Sequence, residues 1–132
     1  MSKQYKKPVR LDLRDFPAGA FEISKIVDDA EGLHVVLSTE KDLSATFEVS
    51  FDAVHAYRNA DEGDRTEYWR SLGGYLETGC YTAEESDFLD WALDQNVHGA
   101  LPRGLQHFIV VSANDVLDVL SFESPNGEVV RD

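Results

Sequence analysis

Residues 107–122 read HFIVVSANDVLDVLSF, the densest apolar stretch of the chain, and any fold must bury it. Phe108, Ile109, Val110 and Val111 follow one another without interruption. In so short a segment this suits a strand covered on both faces rather than one with a wet side. Ser112, Ala113, Asn114 and Asp115 then supply a turn, since short polar side chains bond their own backbone. Residues 116–122 resume the apolar pattern, broken by Asp118 and Ser121, so the stretch reads as a central β-hairpin. Asp118 has two readings: a functional carboxylate, or one that points to a wet face or takes local hydrogen bonds.

Upstream, the pattern changes to period two. Residues 20–27 place Phe21 and Ile23 on one face, residues 33–39 place Leu33, Val35 and Leu37 together, and residues 43–51 alternate Ala45, Phe47, Val49 and Phe51 with polar residues. Strict alternation means one buried and one solvated face, so these three segments read as an antiparallel meander. Residues 54–58 are a further extended stretch.

Two segments carry helical spacing. Asp64 with Glu67 forms a capping box ahead of Tyr68, Trp69, Leu72, Tyr75 and Leu76. Thr82 with Glu85 forms another ahead of residues 83–96, with Ser86 as a later cap candidate. In the second, Phe88, Trp91 and Ala92 share a core face, with Leu89 beside it, and Asp87, Asp90 and Asp94 line the opposite side. Like charges at these spacings cost a few tenths (~0.2–0.5) of a kcal/mol per pair. The stripe is either a solvated face or a surface for the Lys and Arg of a partner. The fold class expected is therefore α+β, an antiparallel sheet of about five or six strands with two helices packed on one face. Residues 1–14 form a basic N-terminal arm, residues 15–127 a single domain, and residues 128–132 a tail after the Asn126-Gly127 turn signal.

Charge narrows the partners. The chain has 12 basic and 25 acidic residues, and five of the basic ones (Lys3, Lys6, Lys7, Arg10, Arg14) precede residue 15. Beyond the arm 7 basic residues face 24 acidic ones. Such a body repels nucleic-acid phosphates and attracts basic proteins, although acidity also serves solubility alone. No apolar stretch approaches a membrane span, and the first ten residues lack the apolar core of a signal peptide, which places the chain in the cytoplasm. Cys80 stands alone, and His34, His55, His98 and His107 show no metal-binding spacing, so neither a metal nor a cofactor is expected. There is no nucleophile-elbow motif and no phosphate loop. An enzyme is not expected; that reading requires a deep pocket gathering a histidine, Asp118 and another polar group.

The segments YRNADEGDR at 57–65, SDFLDW at 86–91 and HFIVVSANDVLDVLS at 107–121 resemble the small bacterial immunity proteins of polymorphic toxin and contact-dependent inhibition systems. The resemblance spans roughly residues 50–122 and implies a cytoplasmic protein that binds and neutralises one cognate toxin. The reading that follows is a protein-binding inhibitor whose acidic surface meets a basic toxin, for instance a nuclease. The expected contact residues are Asp61, Glu62, Asp64, Glu67, Asp87, Asp90 and Asp94, with Tyr57 and Tyr81 as aromatic anchors. The alternative is a stand-alone structural or regulatory domain, a homodimer included.

Overall fold

The computed structural model describes residues 5–41, 43–61, 76–95 and 104–131. Its elements, in chain order, are β1 (Val9–Arg10), β2 (Glu22–Asp29), β3 (Gly32–Ser38), β4 (Ala45–Phe51), β5 (Val54–Asp61), β6 (Gly79–Ala83), α1 (Asp87–Asp94), β7 (Gln106–Val111), β8 (Asp115–Ser121) and β9 (Asn126–Arg131). They form two antiparallel sheets, one ordered β1-β6-β7-β8-β5 and the other β2-β3-β4-β9.

The expectation of an α+β domain with two helices on a single sheet is thus corrected: the described fold is mostly β, with one short helix. Three differences account for this. Thr82 and Ala83, taken for a helix start, end strand β6 instead, paired with Phe108 and His107. The helix therefore begins later, capped by Ser86, whose Oγ accepts the Leu89 amide. The segment expected as a tail is β9, paired along β4 from Ser50↔Asn126 to Ala45↔Arg131. The other helix expected, from Asp64, lies outside the described residues.

The meander and the hairpin are both present. Strands β2, β3 and β4 pair in sequence, and their alternating residues Ile23, Leu33, Val35, Leu37, Phe47, Val49 and Phe51 are buried. These side chains meet Cys80, Phe108, Val110, Leu117 and Val119 from the five-stranded sheet in one cluster, so the two sheets form a sandwich. Burying each such side chain stabilises the fold by about 1.5–3 kcal/mol relative to leaving it exposed. The alternate residues of β7 and β8 face away from the sandwich. There Ile109, Val111 and Val116 pack with Leu76, Tyr81 and Ala83, and Leu120 packs under Phe88, Leu89 and Ala92 of α1.

Two connections close the sandwich side by side. The chain passes from β4 to β5 through Asp52 and Ala53, and from β8 to β9 through residues 122–125, with the Phe122 amide donating to the Ala53 carbonyl at 3.0 Å. The hairpin turn makes a third link. The Ala113 amide donates to Phe21 O at 2.8 Å, and Asn114 accepts from the Ile23 amide at 3.1 Å. A turn of one sheet thereby holds the edge strand of the other.

Gly127 answers to packing rather than to turn geometry. A Cβ there would lie 2.5 Å from Cζ of Phe47, a ring of the sandwich core. Gly127→Ala is expected to lower stability by about 1–3 kcal/mol through overpacking, read as a lower urea midpoint with unchanged slope. Cys80 supplies a second test. Burial pushes its thiol from 9.0 up to about 12, so the unfolded chain loses that proton first as pH rises. The stability contributed by the neutral thiol is complete below pH 9 and is lost between pH 9 and about 12. Iodoacetamide at pH 8.5 should label Cys80 readily in urea and hardly at all in the native protein.

Candidate interaction surface and a buried polar relay

Between α1 and the outer face of the five-stranded sheet, a polar group of residues replaces the apolar contact found elsewhere. His107 on β7 and Asp118 on β8 flank each other on that face, His107 opposite Leu120 and Asp118 opposite Ile109. Both side chains are fully buried. His107 Nε2 lies 2.6 Å from Asp118 Oδ1, and His107 Nδ1 lies 2.7 Å from Ser86 Oγ. One proton assignment satisfies every partner: Nε2–H donates to Asp118, the Ser86 hydroxyl donates to Nδ1, and Ser86 Oγ still accepts the Leu89 amide.

Arg58 on β5 completes the relay towards the surface. Its Nε donates to Asp118 Oδ2 at 3.2 Å, its Nη2 donates to Asp87 Oδ1 at 3.1 Å, and its guanidinium sits 4.3 Å over the Phe88 ring. Burial pulls the Arg58 pKa down, but the Asp118 and Asp87 carboxylates outweigh it and hold it above its ordinary value. A permanent cation therefore stands beside the buried Asp118. Asp118 is fully buried and bonded to His107 and Arg58, so it does not point to a wet face.

Serine, histidine and carboxylate in a row are also the parts of a hydrolytic triad, so what this row can do chemically has to be decided by access. A nucleophilic hydroxyl needs open space for a carbonyl and a neighbouring oxyanion site. Ser86 is 1% exposed and its oxygen already accepts the helix amide. The geometry is that of a latch fastening α1 to the sheet.

Those expected contact residues that the structure describes do not all share one face. Glu62, Asp64 and Glu67 lie outside the described residues. Asp61 ends β5 opposite Asp115. Asp87 is held by Arg58, and Asp90 accepts the Tyr5 hydroxyl at 2.7 Å, whereas Asp94 is exposed on the last turn of α1. Tyr57 is exposed but shares the sheet face of Val119, the sandwich side, opposite to the face that carries α1. Tyr81 is buried: its hydroxyl donates to Glu77 O at 2.7 Å, and the Arg10 guanidinium lies 5.1 Å from its ring centre. It belongs to the core.

The arm, which the sequence reads as either loose or an edge extension, extends the sheet edge, and its contacts were not foreseen. Residues 5–10 lie against the start of α1 and the end of β6. The Lys6 amide donates to Glu85 at 2.6 Å, Lys6 Nζ pairs with Glu84 at 3.1 Å, and Val9 and Arg10 pair with Thr82 and Tyr81. Burial first, then the hydrogen bond and charge of Asp90, push the Tyr5 hydroxyl up to about 12. The opposite charges of the arm and of residues 84–90 were visible in sequence, but nothing local indicated that they meet.

Comparisons with protein-family models, with curated proteins and with solved structures find no match. Among the described residues, no helix is long and apolar enough to cross a membrane.

Removing the relay's parts should show their coupling. Asp118→Ala leaves donors of His107 and Arg58 unanswered in a dry site and should cost about 3 kcal/mol, the low end because Arg58 can turn to water. Ser86→Ala should cost about 1–2 kcal/mol for cap and hydroxyl together. The double variant, measured by urea denaturation, should lose less than the sum, since both act through His107; strict additivity would speak against a relay.

Proposed function

We propose that this protein is a cytoplasmic protein-binding inhibitor, an immunity protein that neutralises a basic toxin by covering it with an acidic surface. One observation carries the reading: an extended basic segment already lies on this surface, since residues 5–10 set Tyr5 and Lys6 against Asp90, Glu84 and Glu85. The same charge pattern presented by another protein meets the same chemistry. The excess of acidic over basic residues beyond the arm supports it, because such a field speeds encounter with a cation-rich partner and repels nucleic acid. The burial of Ser86, His107 and Asp118 favours binding over catalysis. Asp94 is exposed, and with Glu84, Glu85 and Asp90, which become available where the arm yields, it replaces Asp87 and Tyr81 as the contact residues of choice.

The experiment is affinity purification of the tagged protein from its native cells, washed at low and at high salt. The expected result is a stoichiometric basic protein that is lost as salt rises, with the triple variant Glu84→Lys, Glu85→Lys, Asp94→Lys retaining less of it at low salt. Absence of any partner under both washes counts against the inhibitor reading and for a solitary structural or regulatory domain.

A further inference from the structure

Every open sheet has two end strands, and their unpaired backbone groups can take up a further strand unless something prevents it. Here the end strands are β1 and β5 in one sheet and β2 and β9 in the other. Strand β1 pairs through only two residues and follows Pro8. Strand β5 is bulged between Val54 and Ala56, and β2 between Ile23 and Lys25, which breaks the regular row of donors and acceptors. Strand β9 has none of these defences. Its six residues pair with β4 in unbroken register, Val129 and Val130 are each 40% exposed, and among the described residues no backbone hydrogen bond reaches residues 126–130 from a loop.

Charge specifies what fits. One cross-strand row on the outer face of this sheet runs Lys25, Val36, Glu48, Glu128. Two carboxylates therefore stand side by side at the open edge, an unfavourable pairing. Glu48 has His34 at 3.1 Å, while Glu128 has no ion-pair partner among the described residues. A strand added beyond β9 places its own residue next to Glu128 in that row. We infer that β9 is a docking edge for an extended, basic segment of a partner protein, which adds as an antiparallel strand with Lys or Arg opposite Glu128.

A second copy of this chain fits less well. Two-fold antiparallel pairing of β9 with itself sets residues of like parity opposite each other, so Glu128 would face Asn126, Glu128 or Val130, none of them a cation. Arg131 lies on the other face, with Val129.

The partner chemistry rests on the reading proposed above, but the edge is tested without it. The probes are a capped seven-residue peptide alternating Val and Lys and its counterpart with Glu for Lys, each titrated into the full chain while backbone amide shifts are followed by NMR. The lysine peptide should shift the amides of residues 126–131 and bind about tenfold more tightly than the glutamate peptide. Glu128→Lys, at an exposed position, should keep the native spectrum and reverse the preference. Shifts centred on α1 or β1, equal response to both peptides, a preference that survives Glu128→Lys, or a dimer by sedimentation whose interface maps to β9 would each overturn the inference. A basic partner that is captured at low salt yet binds Glu128→Lys unchanged removes the edge and leaves the inhibitor standing. A charge-selective edge with no basic partner in cells does the reverse.

Discussion

The hairpin β7-β8 must be covered on both faces, and the arrangement of every other element follows from that requirement. On one face Phe108, Val110, Leu117 and Val119 need an apolar partner, which the three-strand meander of the second sheet supplies. On the other face Ile109, Val111, Val116 and Leu120 need a lid, supplied by Leu76, Tyr81 and Ala83 and by the apolar side of α1. A sheet buried on one side only would have allowed alternating polar residues in β7; none occurs between Phe108 and Val111.

The lid is not purely hydrophobic. His107 and Asp118 stand on the face that α1 covers, and leaving either without partners would cost more than the apolar contact beside them gains. Ser86 and Arg58 answer both groups, and in doing so fix where the helix starts and how it lies: Ser86 is the helix cap, Arg58 bridges to Asp87 in the first turn, and its guanidinium stacks over Phe88. A short helix such as α1 is marginal by propensity alone. Its position is specified by hydrogen bonds of defined direction, which apolar packing would leave loose. Ser86 caps the helix, and His107 and Asp118 tie that cap to the sheet.

The surface divides into acid held from within and acid left open. Asp87 and Asp90 serve Arg58 and Tyr5, and the basic arm covers part of what remains at Glu84 and Glu85. Glu128 and Glu48 lie on the far sheet. On the reading proposed above, this distribution serves two kinds of recognition, at a charged helix end that its own arm already occupies and at a sheet edge where backbone bonding and charge act together.

Much of the sheet content was legible because it rests on local periodicity: the alternation in β3 and β4 and the unbroken apolar run of β7 each state how many faces are buried, and the structure agrees with both. Strands β6 and β9 were not legible. Gly79, Cys80 and Thr82 carry little strand signal, and Asn126-Gly127 imitates a turn; both segments become strands only because β7 and β4 offer them a row of backbone partners. The capping pattern at Thr82 and Glu85 was equally local and was overruled in the same way, as pairing of Thr82 with Phe108 satisfied the backbone in another form. His107 and Asp118 could be singled out as odd members of an apolar run, but not joined to Ser86 and Arg58, which lie 21 and 60 residues from their partners. The sequence by itself thus determined which segments alternate, which run is buried on both faces and how strongly acidic the body is. Only the tertiary structure decided the second sheet, the polar relay, the docked arm and the open edge, because each depends on hydrogen bonds or charges between residues far apart in the chain.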